Sequence, residues 1–197
     1  MTYRTSTFPP AAVEALRRTV AGQIVYPTDP PYAALVGAPP GRRGPDVVVV
    51  PTSEAAVAAA VDVARTHGLA VVSAPDVAAR GAEPAMLVLT HLLDSVVVDA
   101  GAATATVGPG VTWRALTEDV GGSGLEPDAA GEPGALVAAT ADVISARIVR
   151  ADGFVHVVAL PVPPPDDPGP WIVTAVVVPL VPVTDHHPTH QDQEVPS

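Results

Sequence analysis

The sequence predicts an α+β protein made of a small parallel βαβ lobe and a larger, mainly antiparallel lobe. Two short β-branched runs, residues 46–50 and 69–73, flank an Ala- and Val-rich helical stretch, which is the pattern of one strand–helix–strand unit. From Ala85 onward, short runs of strand-forming residues alternate with Gly, Pro and Asp turns. Apolar residues make up 48% of the 197, enough to bury the core of one domain in two lobes.

Residues 11–20 put Val13, Leu16 and Val20 on one helical face and Arg17 and Arg18 opposite, and Gly22 ends that helix. Pro27, Pro30 and Pro31 predict an extended connection, followed by a Gly/Pro/Arg loop at 37–45. The run at 46–50 reads as a buried strand. Thr52 or Ser53 can cap the next helix, with Glu54 in its first turn facing the positive end of the helix dipole. That helix runs to His67 and stops at Gly68. Residues 69–73 form the next strand, reached by a right-handed crossover.

Beyond Ser73 the character changes, which sets lobes of about 1–73 and 74–183. A loop leads to a strand at 85–90, and strands at 95–99 and 104–107 join at Ala100-Gly101. Gly108-Pro-Gly110 opens a helix at 112–120 that Gly121-Gly122 closes, and 121–134 predicts a loose acidic loop. Strands at 143–150 and 154–160 meet at Asp152-Gly153, a hairpin signal. A Pro/Asp linker at 161–170 precedes a final strand at 171–178, and the polar tail at 184–197 is expected to be disordered. No internal repeat is visible.

Ten basic residues, all Arg, against 21 acidic ones give a net charge of −11. That balance excludes a nucleic-acid footprint and opposes an anionic membrane surface. With no cysteine, disulfides, thiolate metal sites, iron–sulfur clusters and a Cys nucleophile are all excluded. The N-terminus lacks a leader pattern, and the longest apolar stretch, 171–183, is broken by Pro179 and Pro182 and is too short for a bilayer. The expectation is a soluble, cytoplasmic protein.

Several motifs in series resemble a known family. Tyr26-Pro-Thr-Asp-Pro-Pro-Tyr32 is similar to a Pro-Gly-Asp-x-x-Tyr opening. Pro45-Asp-Val-Val-Val-Val-Pro-Thr-Ser53, the helix after it and Gly68-Leu-Ala-Val-Val72 follow in the expected order. Val107-Gly-Pro-Gly-Val-Thr-Trp113, Val143-Ile-Ser-Ala-Arg-Ile-Val-Arg-Ala-Asp-Gly153 and the closing segment from Trp171 to Val183 complete the series. Together they resemble the PCMH-type FAD-binding domain of berberine-bridge-like and vanillyl-alcohol-oxidase-like FAD-linked oxidases, over about residues 20–183.

The resemblance implies FAD as cofactor and a cradle in two halves. One is the loop Ala74-Pro75-Asp76-Val77-Ala78-Ala79; the other runs through Gly131, Gly134 and Ala139 to the strand near Val143. Both depart from the family. Pro75 lacks an amide donor, and Asp76 puts a carboxylate where a glycine admits phosphate. Val77 stands at the position of the flavin-attaching histidine. In the second half Leu136 and Ala139 fall near glycine positions, and about a dozen family residues are missing before Asp142. With 14 residues after Val183, the family's substrate domain is expected to be missing. The expectation is a degenerate, truncated domain with weakened or lost noncovalent FAD binding and no complete active site. Its alternatives are a flavin-free binding or scaffold module, or half of a split oxidase completed by a separate substrate-domain chain.

No residue stands out as catalytic. His186, His187 and His190 lie around Pro188, which prevents the helix that would align them, so no metal is assigned. His67 suits the negative end of its helix, His91 near Asp94 reads as a solvated loop, and His156 as an exposed hairpin residue. Trp113 and Trp171 read as core anchors, and Tyr32 as structural. Gly121-Gly-Ser-Gly124 lacks the context of a nucleophile turn, and no Walker or dinucleotide fingerprint is present.

Overall fold

The computed structural model describes residues 8–37, 44–73, 85–140, 142–159 and 171–183. α1 (Pro10–Thr19) opens on a proline, whose missing N–H costs nothing in a first turn, and ends with Arg17 and Arg18 against the negative pole. β1 (Gly22–Val25) and α2 (Tyr32–Val36) follow, then β2 (Val47–Pro51). Ser53 caps α3 (Glu54–His67), its hydroxyl accepting from the Ala56 N–H at 3.2 Å. Gly68 ends the helix at a left-handed φ of 66°. β3 (Ala70–Ser73), β4 (Ala85–Val88), β5 (Val96–Asp99) and β6 (Thr104–Val107) precede α4 (Trp113–Val120). β7 (Leu125–Pro127), α5 (Val137–Thr140), the hairpin of β8 (Ser145–Val149) and β9 (Val155–Ala159), and β10 (Ile172–Pro182) complete the described chain.

The first sheet has the order β1-β2-β4-β3, with β2, β4 and β3 parallel and β1 antiparallel at the edge. Every residue of β2 is buried, because both faces of this sheet are covered. Val47, Val49, Val71 and Met86 pack against α1 and α3 on one side. Val48, Val50, Val72 and Leu87 meet Tyr32, Leu35 and Val36 on the other.

The second sheet has the order β5-β6-β10-β8-β9, antiparallel throughout, and β7 also pairs with β10. Its inner face, including Val107, Ile148, Val176 and Val178, packs on Trp113, Leu116 and Val120 of α4. The two sheets share core residues as well. Val149 and Ile172, at the ends of β8 and β10, belong to the first core beside α3.

The α+β class and the parallel-plus-antiparallel division hold, with local corrections. Gly22, expected to stop a helix before an extended connection, starts β1, and Pro30-Pro31 lead into α2. The strand after Ser73 belongs to the first sheet, where β4 lies between β2 and β3, so the parallel lobe continues past that residue. The loose loop at 121–134 contains β7. The last strand continues through Pro179 to Pro182. The expected linker at 161–170 and tail at 184–197 lie outside the described residues.

Candidate functional site

The expected cradle divides between the two sheets. Its first half, Ala74, Pro75, Asp76, Val77, Ala78 and Ala79, lies outside the described residues. The strand that delivers it, β3, ends at Ser73, which is paired with Val88. The second half is described, and it is latched onto α4. Trp113 N–H donates to the Ala135 carbonyl and Arg114 N–H to the Pro133 carbonyl, both at 3.1 Å. Val137 N–H donates to the Val111 carbonyl at 3.0 Å, and Thr112 bridges Leu136. Within the loop, Ala135 N–H bonds to Glu132 and Ala139 N–H to Leu136. The amides of 135, 137 and 139 are therefore spent on the fold, and Pro133 has none to offer.

The four residues expected to contact cofactor differ in setting. Gly131 is filled space: a Cβ there would lie 2.5 Å from Trp113 Cε2 and closer still to Nε1 and Cδ1. Gly134 is open, with nothing within 4 Å of a Cβ. Ala139 is exposed, and Val143 is half-buried against the second core. Sequence reasoning took Trp113 as a core anchor, and it is buried, but its contact with Gly131 was not anticipated. The nearest signal was its place behind Gly108-Pro-Gly110.

That turn has a packing explanation too. A Cβ at Gly108 would meet the carbonyl carbon of Leu93 at 2.6 Å, and one at Gly110 that of His91 at 2.7 Å. The glycines let the turn close on the chain leaving β4, sealed by Gly110 N–H to the Leu93 carbonyl at 2.9 Å. His91 and Asp94 are both exposed there, as a solvated loop requires.

Electrostatics around the second half-cradle are anionic. Residues 115–146 carry Glu118, Asp119, Glu126, Asp128, Glu132 and Asp142 and no basic residue. Glu126, Asp128, Glu132 and Asp142 are exposed. A diphosphate brought here meets like charge, with the exposed Arg114 as the neighbouring cation.

Elsewhere the titratable groups serve structure. Tyr32 donates its hydroxyl to the Pro45 carbonyl; burial, then the charge of Asp46, raises its pKa. Burial also raises that of Tyr26, against the lowering influence of Arg17, whose guanidinium lies 5.8 Å from the ring centre. Asp152 accepts from the Phe154 N–H and pairs with His156 Nε2 at 2.9 Å, and these bonds hold its carboxyl below the ordinary range. An open groove of about 540 Å³ lies between α3 and this turn, floored by Ala58 and Ala59 and edged by Asp62, Arg65 and Phe154. Its lining contains no Ser, Thr, Cys, Lys or His. No metal-ligand cluster occurs among the described residues, and no helix among them is long and apolar enough to cross a membrane.

Within the described residues, a largely parallel sheet is joined to an antiparallel sheet through α3, which packs against both. The chain matches the FAD-binding domain family over residues 45–160 and belongs to it. Its fold is shared with solved structures of oxidases and dehydrogenases. It superposes on a point variant of BBE-like 1 from Physcomitrella patens with a TM-score of 0.67 at 19% identity, covering 88% of this chain and 45% of the other. The 6-hydroxy-D-nicotine oxidase of Arthrobacter nicotinovorans gives 0.60 at 22% identity, covering 83% and 43%. A glucose dehydrogenase variant of Phl p 4 gives 0.64 at 19%, covering 87% and 44%. The chain thus spans less than half the length of these structures. No curated protein matches it. Of the residues expected to line the cradle, Gly134 faces open space, whereas the space at Gly131 is filled by the Trp113 indole.

Proposed function

We propose that the chain binds FAD noncovalently and weakly, and that it does not complete an oxidoreductase active site by itself. The observation that carries this reading is the latched loop, whose amides at 135, 137 and 139 are consumed by carbonyls of the fold. The surrounding carboxylates add repulsion, and the sequence removes a donor at Pro75 and adds a charge at Asp76. Each such loss costs about 1–3 kcal/mol, and together they lower affinity by about two to four decades. Val77 at the histidine position and the absence of cysteine leave no covalent anchor of the family's kind. Bound FAD would supply a hydride acceptor; this chain supplies the backbone around Gly134 and the walls of the two lobes.

The test is a visible spectrum of the purified protein, then an FAD titration followed by flavin fluorescence. The expected result is a colourless protein that saturates only at roughly 10 μM FAD or above and releases all flavin on denaturation. Stoichiometric yellow protein straight from purification overturns the reading.

A second reading is that a separate chain supplies the substrate-binding domain. It is supported by exposed Phe154 and Val157 on the β8–β9 hairpin, 70% and 72% accessible. Affinity purification that brings down no stoichiometric partner from the native cell argues against it.

A further inference from the structure

The antiparallel sheet runs β5-β6-β10-β8-β9, so β9 is an edge strand with no described strand beyond it. Its pairing with β8 decides which backbone groups are already used. Arg150 N–H donates to the Phe154 carbonyl beside the turn, which makes 150 and 154 a hydrogen-bonded pair. Such pairs alternate along an antiparallel ladder, and the register sets Ile148 opposite His156 and Ala146 opposite Val158. Phe154, His156 and Val158 therefore turn their N–H and C=O groups to β8. Val155, Val157 and Ala159 turn theirs outward, and no described residue takes them up.

Native edges are commonly blunted by a charged residue, a proline or a bulge. β9 has none of these: its five residues pair without a register shift and include no Asp, Glu, Lys, Arg or Pro. Val157 is 72% accessible and Val155 40%. The opposite edge, β5, differs. Gly108 N–H donates to the Ser95 carbonyl, so by the same alternation only Val96 and Val98 face out, and exposed Asp99 closes the strand.

The outward residues of β9 are self-complementary. Laid antiparallel on a second β9 about a two-fold axis at Val157, they pair Val157 with Val157, and Val155 with Ala159 in both directions. Every outward donor then meets an outward acceptor. A shift by one residue sets outward groups against groups already bonded to β8, and a shift by two leaves one of the three unmatched in each copy. Charge agrees with this arrangement. At −11 two copies repel at long range, yet residues 143–159 carry two Arg against one Asp and present no net negative charge. We propose that the chain self-associates through β9, two copies joining edge to edge about an axis at Val157 into one continuous antiparallel sheet. The contact is isologous, with main-chain bonds for affinity and the valines shielded from water. The two-fold match, which a foreign strand does not require, favours a second copy over the separate chain considered above. The proposal is independent of FAD.

Sedimentation velocity of the full chain over about 1–300 μM tests it, together with disulfide trapping. Wild type should pass from monomer to dimer with a midpoint of roughly 10–100 μM, as suits a contact smaller than a standard interface. Val157→Lys, which opposes two ammonium groups at the axis, should raise that midpoint by roughly tenfold or more without lowering the Tm. Val97→Lys, the matching change on β5, should leave it unchanged. The sequence has no cysteine, so Val157→Cys carries a single thiol. Opposed residues of a hydrogen-bonded antiparallel pair have Cα atoms about 5.5 Å apart, within reach of a disulfide. Oxidised glutathione should therefore convert Val157→Cys to a covalent dimer and leave Val97→Cys monomeric. A wild type that stays monomeric throughout the range overturns the proposal. So does a dimer whose midpoint Val157→Lys leaves unchanged, or one that Val157→Cys traps no faster than Val97→Cys. If Val157→Lys does not fold, the trapping comparison decides.

Discussion

Substituting alanine for Gly131 puts a methyl 2.5 Å from Trp113 Cε2 and nearer still to Nε1 and Cδ1. Carbon atoms in contact settle at about 3.5–4.0 Å, so the indole or the loop must move by roughly 1 Å or more. Trp113 is 5% exposed and packs with Leu116, Val120 and Val137, which leaves the ring little room. The loop is held by the bonds from Trp113, Arg114 and Val137. Overpacking of this kind costs about 1–3 kcal/mol, and at about 2–4 °C per kcal/mol for a chain of this size the Tm falls by roughly 2–12 °C. Gly134→Ala is the control: its methyl meets nothing within 4 Å and its φ is ordinary. Restricting the unfolded chain there stabilises by about 0.4–1 kcal/mol. Thermal melts by far-UV circular dichroism read both, and near-UV bands report the displaced indole in Gly131→Ala. If the two variants melt together, the assignment of Gly131 to packing is refuted. FAD titration of Gly134→Ala supplies the complement: weakened binding without a lower Tm marks Gly134 as the glycine that faces cofactor.

Ser53→Ala removes the cap bond to the Ala56 N–H and should cost about 1 kcal/mol, read as a lower urea midpoint with an unchanged m-value. Alkaline stability should fall from about pH 10 upward. The phenols of Tyr32 and Tyr26 are raised above their ordinary 10.0 by burial, so their contribution is intact below that pH and is lost as pH rises through the folded values. Tyr32→Phe should cost about 1 kcal/mol at neutral pH through the lost bond to Pro45 and should flatten the alkaline limb. An unchanged limb, followed by denaturant melts between pH 8 and 11, would exclude Tyr32 as its source.

The strand–helix–strand unit was legible because each signal was local: a β-branched run, Ser53 ahead of Glu54, and Gly68 after His67. β1 was not, since Gly22-Gln-Ile-Val25 has too few residues to show a period and exists by pairing with β2. β7 was missed for the same reason, being held in place by β10. The placement of β4 between β2 and β3 depends on parallel pairing across a long separation, which no run of residues displays. The bulge at Thr174, where β10 shifts register against β8, is likewise invisible, because it arises from the pairing of two strands and from the Glu54 carboxylate on α3.

The motifs that match the family and those that depart from it sort by what they touch. Gly108 and Gly110 close on backbone carbonyls of Leu93 and His91, Gly131 seats Trp113, and Ser53 caps α3; each serves the fold with no ligand present. Pro75, Asp76 and Val77 stand where the resemblance places the family's cofactor-facing residues, and the proposed weak FAD binding draws on them. On the proposed reading, fold and cofactor site are separable in this chain. A packing glycine is retained at a cost of destabilisation if lost, whereas a phosphate-facing glycine is retained only while phosphate is bound. Membership of the family measures the first set of constraints. Flavin affinity is set by the second, so a chain can keep the architecture of the domain in full while its affinity falls by decades. The Gly131 and Gly134 substitutions discriminate the two sets within a single loop.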